Sequence, residues 1–177
     1  NRTGRFVSTE KVRQLSQQTI NARIQKTDNI TRDLLQKKIT VSEWEEKMSF
    51  EIKDLTGIQD FTALTYLDCT SHELTNLNLT KNTALTSLLC SSNQLTTLNI
   101  SKNTALTSII CVNNKLTDLD VTAQTALTNL LCSNNRLTSL NLSKNITLTT
   151  LNCENNSLIS LDISKNTALK SLYCRNN

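Results

Sequence analysis

The residues best suited to chemistry in this chain are six cysteines that recur at a constant interval of 21 residues. They are Cys69, Cys90, Cys111, Cys132, Cys153 and Cys174. Six cysteines in a short chain could form disulfides or hold a metal ion. The constant interval instead indicates one structural position copied along the chain, and no pair has the C-x-x-C spacing of a metal site. We therefore expect reduced, buried thiols that replace leucine, with no metal and no cofactor.

The only histidine of the chain, His72, is the one candidate for a catalytic centre. Asp68, Ser71 and Glu73 lie near it in sequence. His72 nevertheless occupies a repeat position at which later copies have asparagine, such as Asn93. We interpret the histidine as a tolerated polar substitute in a turn. With no other candidate centre, the sequence predicts a protein without enzymatic activity.

The residues around each cysteine also repeat, in the frame L-x-x-L-x-C-x-x-N-x-L-x-x-L-x-[LIV]-x-x-N, as from Leu85 to Asn103. The second half of this frame echoes the first, so each coil has two similar halves. Side chains alternate between faces in an extended segment, which points Leu88 and Cys90 to the same inward side. The asparagines suit turns, because their amides satisfy backbone groups there. Gln124 interrupts one asparagine row, and we interpret it as a second polar substitute.

A period of this length with this pattern is typical of a leucine-rich repeat solenoid. From Ile58 to Asn177 the nested halves resemble the short bacterial leucine-rich repeats of the IRREKO class. The resemblance implies an α/β-class, β-rich solenoid over residues 57–177, with two short strands per coil and about six coils, the last incomplete. It also implies an outward face that binds a protein or a glycan.

In residues 1–56 apolar residues recur mostly at three- and four-residue steps, which is the periodicity of a helix. We expect a long helix over about residues 9–38 and a second over about residues 42–56. Ser42 and Glu45 form a capping box at the start of the second helix. The helices are expected to cap the first coil or to dock to another chain, because the end of a repeat stack must be covered.

Two segments before residue 56 suggest a structural alternative. Thr3–Ser8 and Ile39–Met48 resemble segments of phage head-associated proteins, which implies an assembly role in a virion for a chain docked through its N-terminal helices. Self-association through residues 1–56 or through the open C-terminal coil is a related expectation.

Composition argues against two classes of partner. The net charge is +4 and aromatic residues make up 3% of the chain, so neither a basic patch nor a stacking platform for nucleic acid is present. No apolar run approaches the length of a membrane span. A protein partner is therefore expected, with a glycan as the alternative, and neither nucleic-acid binding nor membrane insertion is expected.

One outward residue lies between the inward leucine and cysteine of each coil. These residues are Asp68, Leu89, Ile110, Leu131, Asn152 and Tyr173. The corresponding row of the other half-coil is polar throughout, so folding does not require three consecutive apolar residues here. The same face carries Tyr66, Val112, Glu154 and Arg175. We predict that these two sets form a protein-binding surface centred on the three apolar residues. The alternative is a strand that is apolar for its β-propensity, or that a neighbouring segment covers.

Overall fold

The computed structural model describes residues 53–177, which form a solenoid with one short strand in each 21-residue coil. The strands are β1 (Tyr66–Asp68), β2 (Ser87–Leu89), β3 (Ser108–Ile110), β4 (Asn129–Leu131), β5 (Thr150–Asn152) and β6 (Ser171–Tyr173). They form one parallel sheet in chain order, because each coil returns the chain to the position beside the preceding strand. No helix within this part of the chain is long and apolar enough to cross a membrane.

The register of the sheet repeats the spacing of the sequence. Leu67 pairs with Leu88, which in turn pairs with Ile109, so equivalent residues are direct neighbours. The central residue of each of the first five strands is buried, and the residues on either side point outward. The sheet therefore contributes one face to the core and presents the other, which we call the sheet face.

The core is a stack of leucines and cysteines from both halves of each coil. Leu85, Leu88 and Cys90 from the first half and Leu95 from the second are fully buried. Burial of one large aliphatic side chain contributes about 1.5–3 kcal/mol to folding. Stacked coils cover each other's apolar side chains, as in other repeat proteins, and the leucine pattern thereby determines the fold.

The prediction of two strands per coil is wrong for the described residues. Only the cysteine half forms a strand, and the second half, here called the return half, has no strand. The return halves of neighbouring coils share few backbone hydrogen bonds. One of them runs from Lys115 N to Leu95 O at 2.8 Å. Tight turns interrupt the return half, as where Asn103 N donates to Ile100 O at 2.9 Å. A segment that turns this often cannot form a regular ladder.

The beginning of the described chain corrects one end of the predicted helices. Residues 53–56, which were expected to end the second helix, are not helical. Gly57 adopts a left-handed conformation with φ of 95°, and a short 3-10 helix follows at Ile58–Asp60. Glycine suits this position because it has no Cβ to clash at positive φ. The long helix over 9–38 and the rest of the second lie outside the described residues.

Each coil leaves the sheet through a residue with positive φ. These residues are Ser71, Ser92, Asn113, Asn134, Asn155 and Asn176, with φ between 53° and 59°. Asparagine tolerates the left-handed region better than most residues with a side chain, whereas serine is less suited to it. The turn therefore directs the chain from the sheet into the return half.

Candidate functional site

The six cysteines form a ladder of free thiols, five of them buried and Cys174 exposed. The prediction of buried thiols is confirmed for the first five and wrong for Cys174. This cysteine lies in the last coil that the structure describes. Within residues 53–177 no group of three or more histidine, cysteine or acidic residues is arranged to hold a metal ion.

Burial makes the inner thiols poor nucleophiles. Desolvation raises the pKa of Cys90 to about 12 and that of Cys153 to about 11. It raises the pKa values of Cys69 and Cys111 as well, with neighbouring thiols adding to the effect. The thiolate is the reactive form of cysteine, so a raised pKa suppresses its chemistry at neutral pH. The ladder is therefore suited to packing.

His72 does not have the surroundings of a catalytic histidine. Burial lowers its pKa, which the charge of Asp68 partly opposes, and no described residue bonds its Nδ1. The acidic neighbours have structural partners: Asp68 accepts the N–H of Thr70 at 3.0 Å, and Glu73 pairs with Lys53. The neighbourhood therefore holds the first coil together.

The asparagine rows connect the coils from inside. The Nδ2 of Asn114 donates to the carbonyl oxygens of Cys90 and Cys111 at 3.0 and 3.2 Å. Its Oδ1 accepts the N–H of Leu95 at 3.0 Å. Asn93, Asn135, Asn156 and Asn177 make the equivalent bonds. One side chain thus satisfies backbone groups of two coils, as predicted for a turn asparagine.

The second row includes the glutamine substitute. Gln124 donates from Nε2 to the carbonyl oxygens of Ile100 and Asn103 at 2.8 and 3.3 Å. Asn103 donates to the same positions one coil earlier. The interpretation of Gln124 as a polar substitute is therefore confirmed.

The sheet face brings the three central residues of the predicted surface together. Leu89 pairs with Ile110 and Ile110 with Leu131, so they are consecutive neighbours across β2, β3 and β4. Each is half-buried, as is Val112, which follows Ile110 by two positions. We call these four residues the apolar patch. Neighbouring strands lie about 4.8 Å apart, so the patch extends over roughly 10 Å along the stack.

The other predicted residues lie around the patch at increasing distance. Asp68 and Asn152 adjoin its two ends in register, and Glu154 follows Asn152 by two positions. Tyr66 and Tyr173 are 36% and 51% exposed but lie on the first and last strands, roughly 24 Å apart. The predicted set, which also includes the exposed Arg175, thus extends along the whole stack.

Small polar residues border the apolar patch, and the sequence prediction did not include them. They are Ser87, Ser108 and Asn129 on one side and Ser91 and Ser133 on the other. Asn129 Nδ2 donates to Ser108 Oγ at 3.2 Å, and Val112 N donates to Ser91 Oγ at 3.1 Å. The sequence could have identified them, because side chains alternate along a strand and these residues lie two positions before or after Leu89, Ile110 and Leu131.

The return half is polar for a structural reason. Asn99 Oδ1 accepts both the N–H and the hydroxyl of Ser101, at 3.1 and 2.8 Å. The same side-chain turn forms in the next coil between Asp120 and Thr122. The folding of the turns thus explains these residues.

No protein-family model matches the chain, and no curated protein matches it in sequence. Among solved structures, an internalin, InlF, from Listeria monocytogenes is 27% identical with a TM-score of 0.69, over 72% of this chain and 39% of that one. A leucine-rich repeat protein of Leptospira interrogans is 23% identical with a TM-score of 0.61, over 66% and 33%.

The functional domain of InlJ from L. monocytogenes, described as including a cysteine ladder, is 36% identical over 70% of this chain and 37% of that one, with a TM-score of 0.39. The chain thus spans less than two fifths of the length of these structures. Its 21-residue coils fit the same architecture, and the chain has a leucine-rich repeat solenoid whose structural neighbours are bacterial leucine-rich repeat proteins.

Proposed function

We propose that the chain is a protein-interaction module without enzymatic activity, and that the sheet face binds the partner through the apolar patch. The observation that carries the proposal is the alignment of Leu89, Ile110 and Leu131 as neighbours on an outward face. The proposed surface also includes Tyr66, Asp68, Val112, Asn152, Glu154, Tyr173 and Arg175.

The packing of the core beneath the apolar patch supports this choice of surface. The core is already complete beneath the patch, because Leu88, Ile109 and Leu130 fill the inward positions of the same strands. Outward aliphatic side chains therefore add little to folding while they remain in water. Apolar residues with a polar border are the usual anatomy of a binding centre. The leucine-rich repeat fold of the structural neighbours agrees with a binding role.

Other expectations from the sequence stay predictions. They are the assignment to the nested IRREKO class, the phage-like assembly role of the N-terminal segment, self-association and glycan binding. Each rests on the sequence alone, whereas the protein-binding proposal also rests on the arrangement of the sheet face. We therefore give it preference.

The test compares three forms of the full chain in selections from a displayed library of random 16-residue peptides. The first is the wild type, and the second carries Leu89→Thr, Ile110→Thr and Leu131→Thr. The third is a matched control with Thr96→Ala, Thr117→Ala and Thr138→Ala, three exposed residues of the return half. Circular dichroism establishes that each variant is folded.

The wild type and the control are expected to enrich the same peptides, which the threonine variant does not bind. The proposal is wrong if a folded threonine variant enriches the same peptides as the wild type. It is equally wrong if the wild type enriches none. Unfolding of the threonine variant would show that the three side chains belong to the core.

A further inference from the structure

The charges on the sheet face restrict the chemistry of the partner. The side chains that flank the apolar patch along its own strands are neutral, and on the outward positions of β1 to β5 the acidic residues lie toward its two ends. Asp68 adjoins Leu89 on β1, and Glu154 follows β5. From β1 to the turn after β5, the outward positions of the sheet face carry no lysine or arginine.

We propose that the partner is a polypeptide segment with a short apolar stretch between two basic residues. This inference rests on the proposed function and concerns the same surface. The apolar stretch would cover Ile110 and its neighbours, and a lysine or arginine at each end would face Asp68 and Glu154. A charged residue over the patch would lose water without finding a counter-charge, which is unfavourable.

The separation of the two acidic groups indicates the spacing of the basic residues. Asp68 and Glu154 belong to coils that are four strand steps apart, or roughly 19 Å along the stack. An extended peptide advances about 3.3 Å per residue, so about six positions separate the two basic residues. A helix would need about 13 positions to cover the same distance.

Arg175 has a defined place in this arrangement. It occupies the position equivalent to Glu154 one coil later, and its carbonyl oxygen accepts the N–H of Asn155 at 2.9 Å. Its positive charge beside Glu154 weakens the attraction for a second cation. We therefore expect Arg175→Gln to strengthen binding of a basic peptide.

The chain itself offers substitutions that remove the acidic charges without disturbing the turns. Asp68 accepts the N–H of Thr70 at 3.0 Å, and Asn152 makes the equivalent bond to Glu154 N at 3.1 Å. Asp68→Asn is therefore compatible with the local backbone, and Glu154→Gln keeps the shape of that side chain. These two changes form the test variant.

The matched control makes the same charge change on the return half. Asp120 and Asp162 form side-chain turns there that Asn99 and Asn141 also form. Asp120→Asn with Asp162→Asn therefore alters the net charge equally, away from the sheet face. Any difference between the two double variants reports the position of the charges.

The experiment sequences the peptides that the wild type enriches from the random 16-residue library and measures their affinity for each variant. We expect an apolar stretch with lysine or arginine on both sides. The test variant should bind these peptides about three- to thirty-fold more weakly at about 0.05 M salt, with the difference largely lost at about 0.5 M. The control should bind like the wild type.

The results distinguish a failure of this inference from a failure of the proposed function. If binding depends on Leu89, Ile110 and Leu131 but the enriched peptides carry no basic residues, or the test variant binds as tightly as the wild type, the inference is overturned and the proposed function stands. If the threonine variant enriches the same peptides, the proposed function fails and this inference fails with it.

Discussion

At the scale of single residues, the cysteine ladder shows how a repeat can retain a reactive residue type without using its reactivity. Five thiols occupy leucine positions and are buried with raised pKa values. The sequence predicted this from the constant interval alone. Cys174, in the last coil that the structure describes, is the exception.

The buried thiols predict an alkaline limit to stability. An unfolded cysteine has a pKa near 8.5, whereas burial raises the pKa of Cys90 to about 12. Between these values the folded state keeps a proton that the unfolded state loses. The free energy of unfolding should therefore be unaffected below about pH 8 and fall above it, by about 1.4 kcal/mol per pH unit for each buried thiol.

Urea denaturation in reductant at pH 8 and pH 10 measures this fall. Cys111→Ala removes one buried thiol, so the free energy of unfolding should fall less steeply with pH. The same substitution also lowers stability at neutral pH. A free energy of unfolding that is constant over this range would contradict the burial of the ladder.

A second prediction at this scale concerns the left-handed corner residues. Ser92 has a φ of 54°, at a position where the next four coils have asparagine. Asparagine tolerates this conformation better than serine. Ser92→Asn should raise the free energy of unfolding by about 0.5–1 kcal/mol, as measured by chemical denaturation. A loss of stability would show that the serine side chain has a packing role that the corner geometry does not reveal.

At the scale of elements, the two halves of each coil look alike in sequence but differ in structure. Both have the leucine spacing, which led to the expectation of two strands, yet only the cysteine half forms one. The backbone hydrogen bonds differ: in the cysteine half Cys90 N donates to Ile110 O of the next coil at 2.8 Å, whereas in the return half Asn103 N donates to Ile100 O of its own coil at 2.9 Å. An apolar pattern identifies which side chains are buried, but it does not show whether the backbone N–H groups bond the next coil or turn back within their own.

Two asparagine positions can be compared by substitution, one inside the stack and one in an exposed turn of the return half. Asn114 is buried and bonds backbone groups of two coils, so Asn114→Ala should lower the free energy of unfolding by about 3 kcal/mol or more. Asn99 is exposed and serves one turn, so Asn99→Ala should lower the free energy of unfolding by about 1 kcal/mol or less. Denaturation of the two variants side by side provides the comparison. Equal losses would show that the inner row does not hold the coils together.

At the scale of the whole molecule, the solenoid was predictable because one pattern recurs through every coil. The candidate surface was predictable only in part: alternation showed that Leu89, Ile110 and Leu131 point outward, and the common register placed them side by side. The pattern did not show that these side chains are half-buried. Exposure depends on neighbouring coils, which differ in sequence.

The stack also predicts a gradient of stability. The central residue of β3 is fully buried, whereas Leu172 in β6 is 40% exposed. In a solenoid each coil is stabilised mainly by its neighbours, so the last described coil should open most readily. Amide hydrogen exchange should be slowest at Cys111 N, which bonds Leu131 O at 2.8 Å, and faster at Ser171 N. Equal protection along the chain would indicate one cooperative unit.

Site-specific photo-crosslinking shows whether the sheet face contacts the partner. A photoreactive amino acid is placed at Ser108, beside Ile110 on β3, or at Thr117, an exposed residue of the return half. Each form is irradiated with a peptide that the wild type selects. If the sheet face is the binding surface, we expect crosslinked product from position 108 and little from position 117. Equal yields, or product from position 117 alone, would contradict it.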